Sequence, residues 1–481
     1  MDAKVTARQV REWVDKVERR YRLCLATLSK MKKVERTEGL GEQIVRFQGV
    51  LAAGLFHLEE VYGHLCQEES RLITQKQRLN PQWFQERMRS LGNQRKALRH
   101  VAGVGKSIGD AFAWFFYHRE QDLLLEHTKR PVPVMPKGIG GKGEVEFVRN
   151  ERHIGGKMVL CHSITTILRL GDVSLLDLNK LRVSAIGELK SNEVEPGTLS
   201  VHGSFIGRVE DLPRIGTEKA LRGEGLSLEV KARLEKQVKE ISAAISRVHQ
   251  PRARVAAGAK WTPRTYSSIL DELVKGLKTG GASWRRVDGG LILLAYQLPQ
   301  RSLYTRLAAR ECCVPEFPGL VEEATAMLLE GSPHNDISGG TLHYAPGSAN
   351  PTMIPGMFPL FWSPVSADVA ADIMLQKVLV MTVYNPAHLL KRLEERGFEV
   401  GDIGGEVGLI QKSGAAKARI RGLIHILRLV PECLLTEESV ADLVCAFVEE
   451  TRKQGMPLGT QVAVHFQPTL FPSASGDSSS Q

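Results

Sequence analysis

The 481-residue chain is 42% hydrophobic, enough apolar side chain for two or three real cores rather than one marginal one. Its formal charge is +10, from 64 Lys and Arg against 54 Asp and Glu, which favours a polyanionic partner such as nucleic acid. A membrane-spanning or exported chain is not expected: no run reaches the roughly 18–20 uncharged apolar residues that cross a bilayer, and Met1 to Tyr21 is too charged for a signal peptide.

From Val5 to Leu98 the spacing of apolar residues, as in Val10, Trp13, Val14 and Val17, predicts helices. Breaks near Gly39–Gly41 and at Asn80–Pro81 divide the segment into three, the last over Pro81–His100. The glycines of Gly103-Val104-Gly105-Lys106-Ser107 then precede an apolar helix through Ala111 to Tyr117. The string lacks the first glycine of a phosphate loop, since His100 stands there. Leu98–Ala111 fits a helix, G-x-G turn, helix pattern better, with a plain helix break as the more ordinary reading. Pro131, Pro133, Pro136 and the glycines between Gly138 and Gly143 predict irregular chain, followed by a short strand at Glu144–Val148. The G-x-G-x-x-G of Gly138, Gly140 and Gly143 has no strand before it and is discarded for dinucleotide binding. Lys157–Leu170 places Met158, Ile164, Ile167 and Leu168 near a helical face.

Asp172–Leu176 and Arg182–Lys190 are apolar runs on either side of the turn-prone Asp177, Asn179 and Lys180, which predicts a β-hairpin. With the turn centred near Lys180, opposed residue numbers sum to about 360, so Asp172 faces Glu188. Alternation puts Lys190 on the face of Glu188 and Leu189 on the other. Two carboxylates and an amine suit metal-assisted phosphodiester hydrolysis: hard oxygen ligands hold a divalent cation and the ammonium balances transition-state charge. The ordinary alternative is an exposed ion-pair ladder, which contributes little.

Beyond Ser191 the chain is polar and Gly-rich to Ser227. An amphipathic helix is expected over Leu228–Val248, then a basic segment in which Arg252, Arg254, Lys260 and Arg264 interleave with Trp261 and Tyr266. A helix at Ser267–Leu277 and a strand at Gly290–Tyr296 follow. After a Gly- and Pro-rich loop, Gly331–Val365, a strand at Val378–Val383 and helices at His388–Arg396, Ala415–Leu429 and Glu437–Arg452 are predicted. His334, Asp336 and His343 lie in that loop without an element to fix them as metal ligands. The seven cysteines, including adjacent Cys312 and Cys313, form no C-x-x-C pair. Reduced thiols and a cytoplasmic location are expected.

Gly171-Asp172, a spacer, and Ile186-Gly187-Glu188-Leu189-Lys190-Ser191 resemble the D-(spacer)-E-x-K signature of the PD-(D/E)xK, restriction-endonuclease-like, nuclease superfamily. The resemblance implies an α-β-β-β-α-β core, with counterparts in the Asp110–Tyr117 helix, a strand near Glu144, the hairpin, the Leu228 helix and the Gly290 strand. It implies Asp172, Glu188 and Lys190 as catalytic residues, and Mg2+ or Mn2+ held by Asp172, Glu188 and a third acid, Asp110 in preference to Glu120. Gln237 is a further residue that could reach the site. Gly171 replaces the family's proline, and the segment after Lys190 is longer than usual.

The expected fold is therefore mixed α/β (α+β). It has a helical domain at 1–100, a nuclease-like domain at 101–300, a C-terminal α/β domain at 301–470, and a disordered tail at 471–481. The expected function is a metal-dependent endonuclease acting on DNA, in the manner of prokaryotic restriction or phage-defence components. Protein partners would bind through the N-terminal or C-terminal domain. The alternative is a non-catalytic nucleic-acid-binding or scaffolding subunit.

Overall fold

In a computed structural model the chain is mixed α/β, with thirteen α-helices and three antiparallel sheets among the described residues. Those residues are 6–33, 41–118, 120–131, 138–150, 153–154, 156–178, 182–195, 198–207, 228–248, 263–278, 281–298, 302–310, 317–330, 338–341, 360–412 and 418–453. No helix among them is long and apolar enough to cross a membrane. Two compact units are present.

The first unit holds the described residues up to 248 and the short helix Leu303–Arg310. Helices α1 (Ala7–Lys33), α2 (Gly41–Thr74) and α3 (Pro81–Tyr117) form its bundle. In α1 the buried residues Val10, Val14, Val17, Tyr21, Leu25 and Leu28 recur every three or four positions, the stripe that drives packing. Helix α3 starts at Pro81 behind Asn80, whose side chain accepts the Trp83 amide at 3.0 Å.

The expected break at Gly103–Gly105 does not occur, and α3 runs unbroken to Tyr117. A Cβ at Gly105 would lie 2.2 Å from the Tyr21 hydroxyl, which donates to the Val101 carbonyl at 3.0 Å. The glycine thus lets α1 approach α3, and with no turn there, both the phosphate-loop and the two-helix phosphate-clamp readings fall. The boundary expected at residue 100 lies inside this helix.

The sheet is an antiparallel meander in the order β1 (His153–Ile154), β2 (Lys157–Cys161), β3 (Val173–Asp177), β4 (Arg182–Glu195) and β5 (Thr198–Gly207). Val159, Leu175 and Ala185 stand in register across three strands and pack with Val173, Leu189 and Phe147 in one core. Lys157–Cys161, expected to be helical, is a strand: Met158 to Cys161 are all buried, a continuous apolar run that a strand covered on both faces also produces. The Gly-rich stretch after Ser191 carries β5, whose Val201 and Phe205 pack against the same core. Bundle and sheet are joined by buried Gln48 of α2, which donates to the Val159 carbonyl at 2.6 Å and accepts the Cys161 amide at 2.9 Å. These groups lie past the end of β1, where β2 has no strand partner on that side among the described residues.

Helix α4 spans Gln121–Thr128 and α5 spans Gly138–Asn150. The glycines expected to be irregular, and the strand expected at Glu144–Val148, are both part of α5. Its buried residues Gly141, Glu144, Val145 and Val148 follow a helical stripe, and burial of that face outweighs the glycines' weak propensity. Helix α6, Leu228–Val248, packs against β4, β5 and α4.

The second unit has a four-stranded antiparallel sheet in the order β6 (Ala282–Val287), β7 (Leu291–Gln297), β9 (Val378–Tyr384), β8 (Ser338–Thr341). The Gly290 strand, expected to complete the nuclease-like core, is β7 and belongs to this sheet instead. Within the expected loop 331–365, Ser338–Thr341 pairs with β9; His334, Asp336 and His343 lie outside the described residues, as do Arg252, Arg254, Lys260, Trp261, Cys312, Cys313 and the tail. A second meander, β10 (Phe398–Asp402), β11 (Val407–Gln411) and β12 (Arg419–Arg421), precedes the helix Leu423–Cys433, so the helix expected from Ala415 starts later.

Helix Glu437–Lys453 opens on Glu437, which is fully buried, with Oε1 accepting no hydrogen bond among the described residues. Burial, then the Asp288 carboxylate, push its carboxyl up to about 7. The unfolded chain releases this proton at an ordinary carboxylate pKa, so between roughly pH 4.5 and 7 the folded state alone keeps it and stability falls as pH rises. Glu437→Gln is therefore expected to gain on the order of 2 kcal/mol at pH 8 and little at pH 5, read by urea denaturation at both pH values.

Candidate active site

The site forms where β3 begins. Val173 pairs with Gly187, Ser174 with Ile186 and Leu175 with Ala185, so opposed numbers sum to 360 here, before a bulge shifts the register at Leu176. Asp172 sits one residue before the strand. Its amide donates to the Gly187 carbonyl at 2.8 Å, and its Oδ2 accepts the Leu189 amide at 2.8 Å. The side chain thus replaces a backbone partner that β3 no longer supplies to β4.

The structure brings Asp172, Glu188 and Lys190 together. Lys190 Nζ donates to Glu188 Oε1 at 2.9 Å and to the Leu189 carbonyl at 3.1 Å. Glu188 is only 4% exposed. Burial, then the Asp172 charge, push its carboxyl up to about 7, with Lys190 opposing the shift. Glu188 is thus the member of the pair whose ionisation the other's charge opposes.

Gly171 explains the missing proline. Its φ is +73°, and a Cβ would lie 2.6 Å from the Gly187 carbonyl; proline is fixed near −65° and cannot adopt this backbone. A buried relay holds the turn. The Tyr117 hydroxyl bonds Ser174 Oγ, Ser174 bonds His162 Nε2 at 2.6 Å, and His162 Nδ1 donates to the Gly171 carbonyl at 3.0 Å. Burial holds His162 down to about 4, so the ring is neutral and the relay has one direction: Tyr117 to Ser174 to His162 to Gly171. His127 Nδ1 accepts the Arg169 and Leu170 amides at 2.8 and 2.9 Å, pinning the same loop.

Asp110 does not join the pair. Its Oδ1 accepts the Thr166 and Ile167 amides at 2.6 and 3.1 Å, and its Oδ2 accepts the Thr166 hydroxyl at 2.6 Å. Both oxygens of this buried acid therefore anchor the β2–β3 loop. Glu120 precedes α4 and bears on Tyr117. Gln237, on α6, has a shielded Oε1 that accepts no hydrogen bond among the described residues.

The acid the sequence reading missed is Glu144, on α5. It is buried, accepts the Cys161 thiol at 2.9 Å and is pushed up to about 7, by burial first and by Asp172 among the charges. Lys106 of α3 faces it electrostatically and is held down to about 8 by burial. The helical stripe Gly141, Glu144, Val145, Val148 was the available signal, masked by the glycines before it. Gly143 brings α5 onto β4: a Cβ there would lie 2.1 Å from Ser191 Oγ. Gly143→Ala is accordingly expected to cost about 1–3 kcal/mol, with Ser191→Gly in the same chain restoring most of it in a denaturant titration.

No family model, no curated protein and no solved structure matches this chain.

Among the described residues there is no cluster of three or more His, Cys, Asp or Glu groups placed to hold a metal ion. What the site offers is a carboxylate pair, one member of which keeps its proton to about 7 because of burial and the other member's charge. Magnesium is commonly held by one or two carboxylates with water and substrate phosphate completing its shell. The donor set fits that minimal mode.

Proposed function

We propose that the first unit is a metal-dependent nuclease of the PD-(D/E)xK type that hydrolyses phosphodiester bonds, with DNA as the favoured substrate. The observation that carries this reading is the Asp172–Glu188 carboxyl pair with Lys190 at 2.9 Å. Two acids forced into contact inside a fold are costly unless a cation joins them. The order α5, β2, β3, β4, α6 supports a restriction-endonuclease-like core, although β5 is inserted before α6 and β7 lies in the other unit. A cytoplasmic role in prokaryotic restriction or phage defence rests on the resemblance alone.

Asp172 and Glu188 would hold the magnesium or manganese ion. When bound, such an ion polarises the scissile phosphate and lowers the pKa of water. The chain's own groups do the rest. Asp172 is oriented by the Leu189 amide, and its backbone is fixed by the relay through His162. Lys190 places its amino group beside the carboxylates, where it can orient the attacking water and oppose charge developing on the phosphate oxygens. Glu188, whose carboxyl is pushed up to about 7 by burial and the Asp172 charge, would hold the ion as the carboxylate.

The test is plasmid nicking in magnesium or manganese by the intact protein and by Glu188→Ala and Lys190→Ala. Activity unaffected by both would defeat the assignment. No cleavage by the intact protein, with DNA binding retained, would favour a non-catalytic nucleic-acid-binding subunit.

A further inference from the structure

A cavity of about 330 Å³ opens on the bundle between α2 and α3, lined by Tyr62, Gly92, Arg95, Lys96, Arg99 and His100. Its volume is within the range of ordinary ligand sites. Three of its six lining residues are permanent or near-permanent cations and none is acidic. Gly92, Arg95, Lys96 and Arg99 are spaced i, i+3, i+4 and i+7, so one face of α3 supplies them.

The cations are held in place before any ligand arrives. Arg99 lies over the Tyr62 ring, 5.0 Å from its centroid, and bonds the same residue's hydroxyl. That partner is neutral, so the guanidinium keeps its charge while losing its freedom. Arg95 is gripped by both oxygens of Glu69, at 2.7 and 2.8 Å, yet its buried Nε–H has no acceptor among the described residues. A cavity lined by three cations, with Arg95 and Arg99 held in place, is suited to an oxyanion such as phosphate.

Its position along α3 is equally informative. At about 100° per residue, Gly92, Arg99, Lys106 and Asp110 fall within roughly 40° of one another. Lys106 is about 10 Å further along the helix than Arg99 and faces Glu144, whose ionisation Asp172 opposes. One stripe of α3 therefore runs from the cavity toward the carboxylates.

We propose that this cavity is a phosphate-binding subsite that grips the backbone of a nucleic-acid strand outside the cleavage centre. The inference rests on the nucleic-acid reading above and adds where the strand is held. The same chemistry could take the phosphates of a free nucleotide, and the experiment separates the two.

The measurement is fluorescence anisotropy of a labelled duplex oligonucleotide with the full chain, in EDTA, across a salt series. Arg99→Ala is expected to weaken binding about 5- to 10-fold and to reduce the slope of log K against log salt by about 1. Gly92→Glu puts a carboxylate in the cavity and is expected to weaken it further. A Cβ at Gly92 meets no atom within 4 Å, so this variant folds. Arg8→Ala removes an exposed cation from α1 and is expected to bind as the parent does. Unchanged affinity and slope in both Arg99→Ala and Gly92→Glu overturn the proposal. So does loss of ATP or tripolyphosphate binding in those variants while the oligonucleotide binds normally, which would mark a free-nucleotide site. Plasmid nicking distinguishes the two readings. Weakened binding in Arg99→Ala with no nicking by the parent sustains the subsite and defeats the nuclease; nicking by the parent with no change in the variants does the reverse.

Discussion

Lys190→Ala is expected to lower magnesium-dependent plasmid nicking by about 10²- to 10³-fold, the usual loss when one preorganised charge is removed from a water-poor site. The ammonium lies 2.9 Å from Glu188 in a half-buried position, so its field is weakly screened. Lys190→Arg should restore little, because a planar fork cannot occupy the place of a compact ammonium between Glu188 and the Leu189 carbonyl. Glu188→Gln should be at least as damaging, since it removes a candidate ligand while preserving shape. In that variant the Asp172 charge loses its rival, so the fold should be no less stable. Circular dichroism and denaturant midpoints separate lost chemistry from lost structure: a variant that cuts at the parent rate while remaining folded would sink the assignment of that residue.

The second large effect concerns stability. Asp110→Ala is expected to cost about 3–5 kcal/mol, the penalty for breaking a buried charged hydrogen-bond network. For a unit of this size that corresponds to a fall in Tm on the order of 10 °C. The reason is local: Asp110 accepts two amides and a hydroxyl from Thr166 and Ile167, and that loop delivers Gly171 and Asp172 to the mouth of the sheet. Asp110→Asn keeps one acceptor and should fall between parent and Ala. A metal-ligand role predicts a different pattern, in which Asp110→Asn leaves stability intact and weakens magnesium binding. Paired thermal melts and calorimetric magnesium titrations discriminate the two.

The hairpin was legible in the sequence because strand pairing has a strict period. Two apolar runs about a turn-prone centre leave few registers open, and a slip of one residue would invert every side chain. Hence the Asp172 and Glu188 pairing could be written from residue numbers, and Lys190 followed from alternation. The helices of the bundle, the amphipathic α6 and the buried strands β7 and β9 were legible for the same reason, a sustained apolar period.

Glycine was the recurrent source of error. At Gly105 and Gly143 it does not break a helix but permits close approach, to Tyr21 in one case and Ser191 in the other. Sequence alone cannot tell the two uses apart, because the deciding partner is distant in the chain. The same holds for the acids. Asp110 and Glu144 are each a lone carboxylate on a helix, and only the tertiary structure decides that Asp110 is saturated by Thr166 and Ile167 while Glu144 lies in the field of Asp172.

What the sequence determined by itself was the local geometry: periods, one hairpin register, and the chemistry of three residues within nineteen positions of each other. What the tertiary structure decided was every long-range choice, including the union of bundle and sheet through Gln48 and the placing of β7 in a separate sheet. Short-range order follows from steric periodicity, which each residue carries with it. Long-range contacts depend on which buried surfaces fit together, a property of the whole chain.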